Sequence, residues 1–120
     1  MRHDEDRLLD IREAIDAISR RTSERSEFDN DELLRVWCLH YLTIIGEASA
    51  KLSEEIREKH PSCPWRQIVG MRNAIVHGYF GVDWDEVWTV VERDLDPLHK
   101  AIEAILKAEG WMPPENKQSP

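Results

Sequence analysis

No apolar run in this chain of 120 residues reaches the roughly 18 residues that a membrane-spanning helix needs. The opening stretch, Met1-Arg2-His3-Asp4-Glu5-Asp6, lacks the apolar centre of a secretion signal. Both absences make the cytoplasm the expected address. Cysteine is scarce, at two residues. Cys38 sits among Val36, Trp37 and Leu39 and reads as a small core residue. Cys63 lies in the connector Pro61-Ser62-Cys63-Pro64. A disulfide between them stays open, although a chain without an export signal usually keeps its thiols reduced. His60 and Cys63 are a close His/Cys pair but have no matching second half, so neither a metal site nor a cofactor is expected.

Positive charge is also in deficit. Sixteen Lys and Arg stand against 24 Asp and Glu, a net charge of −8. Proteins that grip RNA by bulk electrostatics are usually basic. Any RNA chemistry here needs a local basic cleft, or a partner, to overcome a repulsive average field.

What the chain has in quantity is helical periodicity. Leu8, Ile11, Ile15 and Ile18 predict a first helix over Asp4 to Ser19 with an acidic start. Arg20 to Ser26 is polar and aperiodic and reads as a loop. Asp29 or Asn30 can cap a second helix, with Leu34, Trp37, Tyr41, Ala48, Leu52 and Ile56 on its apolar stripe. No Pro interrupts it before His60, and Gly46 is its one Gly, marking a bend or a close helix contact. Pro64 suits the first turn of a third helix, expected to end near Gly78. Asp83 and Glu86 have capping-box spacing ahead of a fourth helix carrying Val87, Trp88, Val91 and Leu95. Pro97 should kink or restart that helix, which then continues to Gly110. The expectation is an all-α domain over 1–110, a bundle of four to five helices, with a disordered tail over 111–120.

One segment, Arg72-Asn73-Ala74-Ile75-Val76-His77-Gly78-Tyr79, suggests chemistry. Guanidinium offers a planar fork of donors to phosphate oxygens. Imidazole exchanges protons at cellular pH. Cleaving RNA without a metal needs a base at the 2′-oxygen, an acid at the 5′-oxygen and a cation for the charged transition state. Arg72 and His77 are the right types. Spacing alone is weak, because Arg followed by His after four to six residues recurs at Arg35/His40 and Arg93/His99 among eleven arginines and five histidines. Five steps of a continuous helix turn about 140° from the starting face. Arg35 and His40 should therefore diverge inside the second helix, whereas His77 lies where a helix is about to end. The plain alternative is a surface ion pair at Arg72, a helix-end histidine and a packing tyrosine.

Arg72-Asn73-x-x-x-His77-x-Tyr79 resembles the R-x4-H-x-Y motif of the HepT family, the toxins of HEPN–nucleotidyltransferase pairs. Ile44-Ile45-Gly46-Glu47-Ala48, Leu52-Ser53-Glu54-Glu55, Pro64 to Asn73 and His77 to Asp83 are similar as well, so the resemblance covers about residues 4 to 107. Many relatives carry an acidic residue where this chain has Gly78, in a position the motif leaves open. The resemblance implies a HEPN-type bundle, a homodimer and metal-independent endoribonuclease activity on RNA such as tRNA or mRNA. It assigns catalysis to Arg72 and His77. It also implies a nucleotidyltransferase antitoxin that transfers AMP to Tyr79. Asn73 would support by orienting a phosphate or the imidazole. One histidine per chain, in a reaction wanting both acid and base, fits a two-fold interface that brings two sets together. The alternative is a non-catalytic module that only binds the nucleotidyltransferase.

Overall fold

A computed structural model of the chain describes residues 3–75 and 81–111, without the side chains of Arg72 and Ala74. The helical elements are α1 (Asp4–Ser19), α2 (Arg25–Asn30), α3 (Glu32–Ala50), α4 (Glu54–Lys59), α5 (Trp65–Ile75), α6 (Trp84–Thr89) and α7 (Leu95–Ala108). A π-helical turn, Val90–Asp94, joins α6 to α7, and no strand forms among the described residues. The all-α expectation holds.

Helix α1 has the predicted bounds. Its acidic first turn is tied off by Asp6, whose carboxylate accepts from the His3 amide at 3.3 Å. Leu8, Ile11, Ile15 and Ile18 face inward, fully buried. Helix α3 covers them most extensively, and its Trp37 indole donates to the Ala17 carbonyl at 3.1 Å. Helix α3 also packs on α5, with Gly46 at the crossing. A Cβ built there would stand 3.7 Å from the Ile68 carbonyl oxygen. Of the two roles expected of Gly46, close helix contact is the one observed.

Three expectations need correction. The first is the loop over Arg20–Ser26, which ends early because Arg25 and Ser26 open the short helix α2. The cap of α3 then moves to Asp31, whose Oδ1 accepts from the Leu34 amide at 3.1 Å. The second is the unbroken helix to His60. The chain leaves helical geometry after Ala50, and Ser53, extended at φ −66°, ψ 155°, restarts it. The Ser53 hydroxyl accepts from the Ile56 amide at 3.2 Å and donates to Asp4 at 2.6 Å. The third concerns where the helix restarts around Pro97: α7 opens at Leu95, two residues ahead of it. The irregularity falls ahead of it, in the π-helical turn.

The sequence-expected cap of α6 is present: Asp83 Oδ1 accepts from the Glu86 amide at 3.1 Å. At the far end of α7, Gly110 adopts φ +76°. The Trp111 amide donates to the Leu106 carbonyl at 2.8 Å and the Gly110 amide to the Lys107 carbonyl at 3.1 Å, a Schellman closure. Trp111, expected in the disordered tail, instead packs half-buried on the core. The rest of that tail, 112–120, lies outside the described residues.

Candidate functional site

Helix α5 begins where the Pro64 carbonyl accepts from the Ile68 amide at 3.1 Å. Ile68 and Ile75, seven residues apart, are buried, and Met71 between them is half-buried. This stripe turns one face of α5 to the core. Asn73 lies on the opposite face, exposed to solvent. The backbone of Arg72 is helical in the same turn, so Arg72 and Asn73 stand near the end of α5. The third helix was expected to run to Gly78; His77, Gly78 and Tyr79 lie outside the described residues.

What frames them is described. The Asp83 amide donates to the Ile75 carbonyl at 2.8 Å, so the chain leaves α5 and returns to the same point before α6 begins. Ile75 and Asp83, the residues that flank 76–82, are thus joined directly. Sequence reading found Asp83 as a helix cap but not this second bond. A backbone contact across eight residues leaves no signature in side-chain types.

One member of each competing Arg/His pair is engaged elsewhere in the fold. Arg35 donates to the Phe28 and Asp29 carbonyls at 3.1 and 2.6 Å, closing the end of α2, and its guanidinium lies 5.7 Å from the Trp84 ring centroid. His40 stands exposed beside Tyr41. His99 contacts Asp16 at 3.0 Å and Glu103 at 3.5 Å, while Arg93 points to solvent from the π-helical turn.

Cysteine nucleophiles have no support. Burial pushes the thiols of Cys38 and Cys63 up to about 11, and both are free. Among the described residues no three His, Cys, Asp or Glu side chains converge as a metal-ligand set. A cleft of about 760 Å³ opens between the core-facing side of α5 and α7. Ile68, Met71, Ile75, Val90, Leu95 and Leu98 line it, with Glu86 and Asp94 also at its wall. Apolar walls and two carboxylates suit an apolar group and disfavour a phosphodiester. The opposite face of α5 carries the exposed Asn73. No helix among the described residues is long and apolar enough to cross a membrane.

Comparison with known proteins agrees with this architecture. The model of the family described as "Ribonuclease HepT-like" matches residues 11–105. A protein of Methanocaldococcus jannaschii named "Putative RNase MJ1380" is 36% identical over 82% of this chain and 92% of its own length. "Probable ribonuclease HepT" of Thermococcus cleftensis is 36% identical over 88% of this chain and 98% of its own. A Caldanaerobacter subterraneus protein named "Putative RNase TTE0752" is 39% identical over 69% and 74%. No solved structure matches. With the family model spanning α5 and everything that packs on it, this chain belongs to the ribonuclease HepT-like family.

Proposed function

We propose that this protein is a metal-independent endoribonuclease, the toxin of a type VII toxin–antitoxin pair acting in the cytoplasm. The supporting observation is family membership over a stretch that contains Arg72, Asn73, His77 and Tyr79. One His77 imidazole takes the proton from the 2′-hydroxyl as its oxygen attacks phosphorus. The bond to the 5′-oxygen breaks, and an imidazolium returns a proton to that leaving oxygen. Arg72 stabilises the charge gathered on the phosphoryl oxygens, and Asn73, exposed beside it, orients the phosphate. Two histidines are needed and each chain carries one in the motif, so the active form is a homodimer with both motifs in one cleft. Sedimentation should give twice the 14.1 kDa chain mass.

Neutralisation follows from Tyr79. A nucleotidyltransferase antitoxin joins the tyrosine oxygen to the α-phosphorus of ATP and releases pyrophosphate. The added phosphodiester then competes for Arg72 and repels RNA, as a phosphate group would.

Cleavage by the purified protein should persist in EDTA and leave 2′,3′-cyclic phosphate ends. His77→Ala should lower kcat by at least about a hundredfold, the scale of a lost general acid or base. Arg72→Lys should rescue Arg72→Ala poorly, since a point charge cannot replace a bidentate fork. Metal-dependent cleavage, or cleavage of 2′-deoxy substrates, overturns this mechanism. Tyr79→Phe should cleave RNA yet escape inactivation by the antitoxin with ATP and magnesium. The net charge of −8 favours one other reading, a non-catalytic module that only binds the nucleotidyltransferase. RNA left intact by the wild type at every protein concentration would favour that reading.

A further inference from the structure

Asp83 makes three hydrogen bonds, its carbonyl accepting from the Val87 amide at 3.1 Å, and the other two face in opposite directions along the chain. Its main-chain N–H donates backwards to the Ile75 carbonyl at 2.8 Å. Its side-chain Oδ1 accepts forwards from the Glu86 amide at 3.1 Å. The first bond fixes where α5 hands over the chain, and the second fixes where α6 takes it up.

Helix α6 is itself firmly held. Val87 and Trp88 are buried, and the Trp84 ring lies 6.3 Å from Phe28, edge-on. Asp85 forms an ion pair with Arg25, and the Arg35 guanidinium covers the outer side of Trp84. The start of α6 is thus a fixed post, tied to α2 and α3. Asp83 connects that post to the end of α5. His77 and Tyr79 fall in the span between.

We propose that Asp83 is a positioning residue for the catalytic segment, resting on the ribonuclease reading above. Without its carboxylate, the Glu86 amide loses its acceptor and the first turn of α6 frays. The Asp83 backbone is then held to α6 by its carbonyl alone, which accepts from the Val87 amide at 3.1 Å, and can drift from φ −81°, ψ 92°, the conformation that aims its N–H at Ile75. The bond to Ile75 weakens, and the end of α5, which carries Arg72 and Asn73, is no longer tied to the start of α6. Displacements of about 1 Å at a catalytic group can cost a hundredfold in rate.

The test pairs Asp83→Ala with Asp83→Asn, which can still cap, and with Ser53→Ala, which removes the equivalent cap of α4. Asp83→Ala should lower kcat by about tenfold or more at temperatures where it remains folded, with KM little changed. Asp83→Asn should restore most of that loss. Ser53→Ala should lose melting temperature but keep kcat. Amide exchange over residues 76–82, read by mass spectrometry, should quicken in Asp83→Ala and not in Ser53→Ala. Wild-type kcat and unchanged exchange in Asp83→Ala would overturn the proposal, as would an equal loss of kcat in Ser53→Ala. Should the wild type cleave no RNA, the ribonuclease reading fails by itself, and the exchange comparison alone decides whether Asp83 holds the span.

Discussion

Ser49 is fully buried on α3, and its hydroxyl finds no hydrogen-bond partner among the described residues. A buried donor without an acceptor forfeits its hydration and gains nothing in return. Replacing it with alanine removes that deficit and adds helix propensity, at the cost of one small void. Ser49→Ala should therefore leave stability unchanged or raise it by up to about 1 kcal/mol, read from urea unfolding. A loss of more than about 2 kcal/mol would mean that the hydroxyl has a partner in solution, such as a water. The contrast with Ser53 is instructive, because the same residue type in the same helical neighbourhood both caps α4 and holds Asp4. Ser53-Glu54-Glu55 is a legible helix start, a hydroxyl followed by acids. The uninterrupted apolar stripe from Leu34 to Ile56 concealed it, since Leu52 in the break is buried like its helical neighbours.

Among the elements, those with strong local signals were readable and those made by tertiary contact were not. Helix α1 needed only its four aliphatic residues, and α6 only its Asp83 cap. Helix α2 has six residues and one buried side chain, Phe28, too little for a periodic pattern and too short to stand alone. It exists because Phe28 meets Trp84 and Trp88 and because Arg35 bonds its final carbonyls. None of those partners is near in sequence except Arg35. The same division holds at the site: residue types and helical phase single out Arg72 and His77, and the family resemblance adds Asn73, while the Ile75–Asp83 closure is invisible without the fold. Helix α7 offers an element-scale test. Gly110 at φ +76° ends it, and any side chain there is strained. Gly110→Ala should cost about 1 kcal/mol, with Trp111 fluorescence shifting to longer wavelength as its Schellman contact loosens. A variant with unchanged stability and emission would show that this cap contributes little.

Across the whole molecule, the ends of α4 and α7 meet at a small charged cluster. Glu109 contacts His60 at 2.8 Å and Lys59 at 3.0 Å. The hydrogen bonds from His60 and then Lys59 hold its carboxyl below the usual carboxylate range. A carboxyl whose pKa is lowered by folding stabilises the fold above its unfolded pKa, and that contribution disappears as pH falls through the lowered value. Melting temperature should thus decline on acidification through and below the ordinary carboxylate range. Glu109→Gln should be less stable at neutral pH and show a flatter acid limb. Parallel acid limbs in wild type and variant would assign the decline to other carboxylates.

The ion pairs between α1 and α7 also fix a direction. Arg12 faces Glu103 at 3.8 Å, and Asp16, one turn further along α1, faces His99, one turn back along α7. The first and last helices therefore run antiparallel, side by side, and the beginning of one lies beside the end of the other. Topologically the bundle is close to a ring with a single gap. A short linker from Trp111 to His3 would close it, and new termini could open in the exposed turn between α1 and α2 without separating any pair of packed helices. Chain order is then incidental to this architecture; which helices are neighbours is what the fold preserves.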